Sequence, residues 1–308
     1  MSQKIKTVMV FGSTGMLGSE LYKEGQTRTL QIIGVSRQGH EEQADLLDEK
    51  SVSNLIFKYN PDVIINSAAL ISHSYCEENP NLAYAINAKA VETIAKAADF
   101  SGSKLIQIST DNYYSGDGSR LHSEDEPVKI LSEYAKTKYA GENYALMCKN
   151  SIVIRTNITG FRPNGGITSF IEWIVQSLKS GDQVNLFNDY YASTIATRQA
   201  AKIIFDITTS QYVGRLNLGC REVVSKKVFV ETFAKKVSLP LENTVGVSVH
   251  DVLKARSESI GLDVTRIENL LGYKMPNLSQ VVNVLADDYK NHSPHTSIKI
   301  NSNMSTFA

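Results

Sequence analysis

The 308-residue chain is poor in several residues that mark whole protein classes. Its three cysteines, Cys76, Cys148 and Cys220, lie far apart, with no Cys-x-x-Cys or Cys/His spacing. That excludes a disulfide framework or a zinc site and fits a reducing, cytoplasmic setting. The six histidines show no ligand spacing either, so no metal is expected. There is no excess of charge: Lys+Arg and Asp+Glu both number 32. A neutral chain carries no broad field for nucleic acid or an anionic membrane surface, and neither partner is expected. No apolar run approaches the roughly 20 residues that span a bilayer. There is no low-complexity linker and no internal repeat. The stretch Met1 to Lys6 leads straight into an apolar run, so no signal peptide is expected.

What is present is an ordinary globular composition, 42% hydrophobic, in a length that suits one large α/β domain or a domain with a smaller appendage. The most telling stretch is Lys6 to Leu21. Val8 to Phe11 reads as a buried strand, Gly12, Gly15 and Gly18 as a turn, and Met16, Leu17 and Leu21 as the start of a helix. A strand, glycine turn and helix in this order aim free backbone N–H groups and the helix dipole at one point, which suits a pyrophosphate. Gly12, Thr14, Gly15, Met16, Leu17 and Gly18 are the expected cradle of a dinucleotide.

The second strand, Gln31 to Val35, is followed by Ser36, Arg37 and Gln38. A dinucleotide fold often places an acidic residue here to grip the adenosine ribose. A hydroxyl and a guanidinium instead favour a ribose phosphate. NADP (as NADPH) is therefore the expected cofactor, with NAD left open.

Strand and helix then alternate. Lys50 to Tyr59 is a short helix, Asp62 to Asn66 a third strand, Leu82 to Phe100 a long helix, and Lys104 to Ser109 a fourth strand. A helix opening near Ser132 precedes the fifth strand, Ser151 to Arg155. Asn87 breaks the apolar logic of the long helix and reads as a clamp or a site residue. Five alternations predict an α/β fold, a doubly wound parallel sheet of Rossmann type. Beyond Arg155 the rhythm loosens into helices at 168–178, 194–208, 226–237, 264–271 and 278–289, with short strands at 183–187 and 215–218. Ser225 is the expected N-cap of the 226–237 helix. The expected division is 1–157 plus about 189–214 for the dinucleotide domain. About 158–188 and 215–290 would form a smaller mixed α/β substrate-binding region, and 291–308 a polar tail. His73 and His122 read as surface loop residues, Asp125 to Pro127 as a solvated turn, and Trp173 as core. Arg162 and Arg198 read as surface charges that could also meet a nucleotide diphosphate.

Tyr134 and Lys138 stand four apart on one helix and share a face. An ammonium beside a phenol lowers its pKa, and a phenol so tuned can exchange a proton with a carbonyl oxygen. Thr110, at the end of the fourth strand, can hydrogen-bond the same oxygen. With a nicotinamide, Thr110, Tyr134 and Lys138 make a carbonyl reductase.

These motifs in this order resemble the extended short-chain dehydrogenases/reductases, and within them the dTDP-4-dehydrorhamnose reductase branch. The matching residues are Gly12 to Gly18, Asn60 to Ala69, Ile86-Asn87-Ala88, Ile108 to Asp111, Tyr134 to Glu142 and Ile154 to Thr156. The resemblance spans roughly residues 5 to 290 and is strongest in the first half. It implies that Thr110, Tyr134 and Lys138 are the catalytic trio. It places Asp45 and Leu46 against the adenine, Ala68 and Ala69 against the cofactor's ribose or pyrophosphate, and Lys138 on the nicotinamide ribose. Asp111, Asn112 and Asn157 would meet a nucleotide-diphosphate sugar, and a homodimer is left open.

The departures are confined to the sugar side. Where that branch reads Ser-Thr-Asp-Tyr-Val-Phe, this chain has Ser109-Thr110-Asp111-Asn112-Tyr113-Tyr114. Where it reads Arg-Thr-Ser-Trp, this chain has Arg155-Thr156-Asn157-Ile158, and the later Asp-Gln-x-Gly-x-Pro-Thr is degraded at residues 188–194. The expectation is reduction of a keto group on a nucleotide-linked sugar, in deoxysugar or surface polysaccharide biosynthesis. A 4,6-dehydratase is disfavoured because Asn112 stands where its base would be. The alternatives are an epimerase of the same superfamily and a non-catalytic regulator like the methionine adenosyltransferase regulatory subunit.

Overall fold

The computed structural model describes residues 5–163, 168–252 and 257–291. The chain runs β1 (Thr7–Phe11), α1 (Met16–Thr27), β2 (Gln31–Ser36), β3 (Glu42–Gln43), α2 (Glu49–Tyr59), β4 (Val63–Asn66) and α3 (His73–Glu78). Next, α4 (Pro80–Tyr84) passes through a π turn, Ala85–Lys89, into α5 (Ala90–Ser101). Then come β5 (Lys104–Ile108), β6 (Leu121–His122), α6 (Glu133–Ala145), β7 (Ser151–Thr156), β8 (Ile158–Thr159) and α7 (Phe170–Ser180). The second half continues with β9 (Val184–Phe187), β10 (Tyr191–Ala192), β11 (Ile195–Ala196), α8 (Thr197–Thr208), β12 (Gly214–Leu218), β13 (Val224–Ser225) and α9 (Lys226–Val237). It closes with β14 (Thr244–Val247), α10 (Val249–Val252), β15 (Ser259–Leu262), α11 (Thr265–Leu271) and α12 (Leu278–Asn291).

Seven strands form one sheet in the order β12-β7-β5-β4-β1-β2-β3. Every pairing in it is parallel, as in the register Phe11 to Val35 on one side and Phe11 to Asn66 on the other. The order reverses between β1 and β4, and ligands of such sheets bind at that switch point, beyond the carboxyl ends of the strands. The central strands β1 and β4 are near-continuous apolar runs because both faces of the sheet are covered there. In β1, Val8 and Val10 enter one core with α1, α7, α8, α9 and α12, while Met9 and Phe11 enter another with α2 and α5.

One expected boundary is corrected. The strand at 215–218, assigned to the substrate-binding region, is β12, paired in parallel with β7 at the edge of the main sheet. Its Leu216 and Leu218 are fully buried, which requires that place. The smaller sheets are built from very short strands: β13-β10-β15-β6, β11-β8 and β14-β9. The expected helix at 194–208 loses its first residues to β11 and begins at Thr197. The polar tail expected at 291–308 lies outside the described residues except for Asn291.

Caps set the helix starts. Ser132 accepts from Ala135 N at α6, Ser225 from Val228 N at α9, and Ser169 with Glu172 makes a capping box at α7. No helix among the described residues is long and apolar enough to cross a membrane. The three cysteines are buried free thiols.

Candidate active site

The glycine turn follows β1 at the switch point. Gly12 has φ +77°, and a Cβ there would stand 2.8 Å from Ala68 N. At Gly18 a Cβ would stand 2.0 Å from Gly12 O, so only glycine lets α1 pack this close to the strand. Gly15 is the N-cap of α1 and brings no side-chain cap. The helical ladder begins with Ser19 N donating to Gly15 O, leaving the N–H groups of Met16, Leu17 and Gly18 ahead of it. Thr14 lies half-buried in the same turn. This cradle fits a dinucleotide pyrophosphate.

At the end of β2, Arg37 is exposed and makes no ion pair among the described residues. Ser36 is buried, and its hydroxyl bonds Gln38 O and Gly39 O at 2.8 Å, bracing the loop that carries Arg37. Asp45 is exposed and accepts from Leu47 N, while Leu46 packs half-buried beside the second core. Ala68 and Ala69 follow β4 and are half-buried, Ala68 facing Gly12.

Asn87 is a clamp. Its amide bonds both backbone groups of Leu70 and donates to Thr137 Oγ1 on α6 at 3.2 Å. The π turn holds it there, and Gly141 lets α6 approach: a Cβ at Gly141 would stand 2.1 Å from Asn87 O.

The trio comes together. Thr110 follows β5, and Tyr134 and Lys138 lie buried on α6. Lys138 Nζ donates to Ile108 O at 2.7 Å, tying α6 to the end of β5. Burial pushes the Lys138 ammonium down to about 8, opposed by Glu142. The phenol does not follow expectation. Burial raises Tyr134 well above its ordinary value, with the Thr110 hydroxyl pulling the other way. Asp111, Cys76 and Tyr190 push it the same way as burial, and the Lys138 hydrogen bond goes to Ile108 O and not to the phenol. A raised phenol stays protonated at neutral pH, the form a proton donor needs.

Around the trio runs a hydrogen-bonded chain. Asn112 Nδ2 donates to Thr110 Oγ1 at 3.0 Å and to Asp111 Oδ1 at 2.9 Å. Asn157 Nδ2 donates to Asp111 Oδ2 at 2.8 Å, and Thr194 Oγ1 donates to Asn157 Oδ1 at 2.8 Å. Burial lifts Asp111 to about 6, although Asn157, Lys226 and Asn112 all favour its charge.

The family model for the RmlD substrate binding domain matches residues 6–291. The chain belongs to this family. The probable low-salt glycan biosynthesis reductase Agl14 of Haloferax volcanii is 26% identical over 298 residues, covering 92% of this chain and 98% of that one. The dTDP-4-dehydrorhamnose reductase of Salmonella typhimurium is 31% identical over 188 residues, 60% of this chain and 61% of its own length. The dTDP-4-dehydrorhamnose reductase of Bacillus anthracis, solved in complex with NADP, has the same fold with a TM-score of 0.82 at 21% identity, covering 92% and 99% of the two chains.

Within this RmlD-family frame, sequence reasoning missed several residues at the site. His73 is not a surface loop residue. It opens α3, and its ring centroid lies 4.5 Å from that of Tyr134. Tyr190 is buried, and Lys226 Nζ stands 4.7 Å over Phe170 and 5.5 Å over Tyr190, within electrostatic reach of Asp111. Ser225 marked the helix start in the sequence but not where Lys226 would point. His122 is also misread: it is 1% exposed, stacked on Tyr114 and bonded to Glu126. Glu126 is thus no solvated turn residue, whereas Asp125 is exposed and pairs with Arg266. Trp173 is half-buried against the core. Arg198 is an exposed partner of Asp288, and Arg162 is half-buried. No group of three or more His, Cys, Asp or Glu among the described residues is placed to hold a metal.

Proposed function

We propose that this chain is an NADPH-dependent reductase of a keto group on a nucleotide-diphosphate sugar, like the dTDP-4-dehydrorhamnose reductases, serving deoxysugar or polysaccharide synthesis. The observation that carries this is the convergence of Thr110, Tyr134 and Lys138 beyond β5, in the sheet whose β1 ends in the Gly12-Gly15-Gly18 cradle.

Residues Gly12 to Gly18, Arg37, Asp45, Leu46, Ala68, Ala69 and Lys138 would hold the dinucleotide, which supplies hydride when bound. The chain's own part is proton handling and orientation. Tyr134 gives its phenolic proton to the carbonyl oxygen as that oxygen gains charge. Thr110 donates to the same oxygen and orients it. Lys138, held by Ile108 O on the same helix face as Tyr134, would bring a positive charge to the phenolate left after transfer. The substrate region would comprise residues 158–188 and 219–290, with Asp111 and Asn157 at its floor.

The test is a screen of dTDP-, UDP-, GDP- and CDP-linked 4-keto-6-deoxy sugars, following NADPH absorbance. Turnover of one of them is expected. NADPH binding with no oxidation across the panel would sink the reductase reading and favour a regulatory role.

A further inference from the structure

Asn112 stands where the resembled reductases carry a tyrosine, and its amide does not face outward. It is buried and turned into the machinery. A threonine hydroxyl has one proton to give and two lone pairs to fill. At Thr110 both lone pairs are met from one residue: Asn112 N–H at 3.3 Å and Asn112 Nδ2 at 3.0 Å. The amide cannot flip without cost, because Nδ2 also donates to Asp111 Oδ1 at 2.9 Å, and a carboxylate oxygen accepts only from a donor. Asn157 anchors the other oxygen of Asp111, and Ser257 Oγ donates to Asn112 O at 3.1 Å, pinning its backbone.

We propose that Asn112 is a positioning residue that makes the Thr110 hydroxyl a donor only, leaving its proton for the substrate carbonyl. With both lone pairs engaged, Thr110 cannot accept the phenolic proton of Tyr134, so that proton too remains for the substrate. Before substrate arrives the Thr110 proton has two outlets, the Tyr134 phenol oxygen and Asp111 Oδ1 at 3.5 Å, the latter at the limit of a hydrogen bond, and a carbonyl oxygen can replace either. The loss of the sugar-holding tyrosine is thereby matched by a gain, since the residue at this position now serves the reacting oxygen through Thr110. The proposal rests on the reductase reading for its kinetics but not for its geometry.

The test is a double-mutant cycle with Asn112→Leu and Thr110→Val, with NADPH and dTDP-4-dehydrorhamnose as the probes, joined to a crystal structure of the Asn112→Leu chain. Asn112→Leu is expected to lower kcat about tenfold or more, short of the ~10²–10³ that complete loss of such a donor costs. KM and NADPH affinity should hold, while the melting temperature should fall somewhat, because Asp111 Oδ1 loses its donor too. In the Thr110→Val background Asn112→Leu should add nothing. The crystal structure should show the Thr110 hydroxyl rotated from its native rotamer. Should Asn112→Leu fail to fold, the smaller Asn112→Ala takes its place in both arms. Additive effects, or a raised KM with kcat kept, would mean that Asn112 touches the sugar itself and would overturn the proposal. If wild type binds NADPH but reduces no keto-sugar, the reductase reading is what fails. The crystal structure then decides this proposal alone, and an unmoved Thr110 hydroxyl overturns it.

Discussion

Glu142 on α6 and Arg155 on β7 form an ion pair closed to solvent, with Arg155 Nη2 2.9 Å from Glu142 Oε2. Arg155 Nε reaches Oε1 at 3.0 Å, Ser109 Oγ donates to Oε1 at 2.7 Å, and Arg215 Nε donates to Oε2 at 3.0 Å. The pair therefore locks α6, which carries Tyr134 and Lys138, to β5, β7 and β12. Ser109 adjoins Thr110, so the same knot fixes both halves of the trio.

Removing one partner of a buried pair leaves the other charge uncompensated, at a cost of about 3–5 kcal/mol. Glu142→Leu is expected to destabilise the fold on that scale in a urea titration, because the guanidinium of Arg155 stays buried. Burial pushes Glu142 up, but Arg155, Ser109 and Arg215 outweigh it and hold the carboxyl below its ordinary value. Its contribution is therefore present above the unfolded value of about 4.3 and is lost as pH falls through the lower folded one. A Glu142→Leu chain with an unchanged urea midpoint at pH 7 would show that the pair stabilises nothing.

Tyr134→Phe removes the proton donor and keeps the ring against His73. Turnover should fall at least on the order of a hundredfold, the scale of general acid catalysis, with NADPH binding spared. Stopped-flow absorbance and fluorescence titration measure the two separately. Full activity would remove Tyr134 from the mechanism.

The first half of the chain was legible because its signals are local. Val8 to Phe11 and Val63 to Ile65 are apolar runs too short for helices, and a strand buried on both faces must look so. The glycine turn was readable for the same reason: Gly12 and Gly18 answer to contacts within the motif or just beside it. β6, β8, β10, β11 and β13 have two residues each, too few to show any period. β12 was legible as a strand but not as a member of the main sheet, since its partner β7 lies more than fifty residues earlier.

Polar residues at the site divide along the same line. Tyr134 and Lys138 share a helical face, and that is written in their spacing. His73 against Tyr134, and Lys226 over Phe170 and Tyr190, depend on how distant elements dock, and no spacing encodes it. His122 was misread because it sits in a Gly-, Ser- and acid-rich stretch, which usually faces water. Here Asn217 Nδ2 donates to its carbonyl and Tyr114 covers its ring, so the segment is drawn inside.

Arg37 stands exposed at the end of β2, on a loop braced by Ser36. A guanidinium there pairs with a ribose phosphate and has little to offer a ribose hydroxyl. Arg37→Ala is expected to weaken NADPH much more than NADH, measured as dissociation constants at fixed ionic strength. Equal losses for the two cofactors would remove Arg37 from phosphate recognition.

Lys138 makes a further expectation whose sign can be worked out. Its ammonium is fully enclosed, and burial lowers it from 10.5 to about 8. The native chain thus binds this proton more weakly than the unfolded chain. Stability from this group must then rise with pH across the interval from about 8 to 10.5, and must fall away as pH drops through 8. Lys138→Met, similar in size and without a charge, should be more stable than wild type at pH 7, and the difference should shrink toward pH 10. Urea midpoints of the two chains at pH 7, 8, 9 and 10 provide the comparison. The variant should also lose turnover at every pH, since the charge beside Tyr134 is gone. Parallel midpoint profiles would mean that Lys138 keeps its proton as firmly folded as unfolded, and that burial does not set its state in this site.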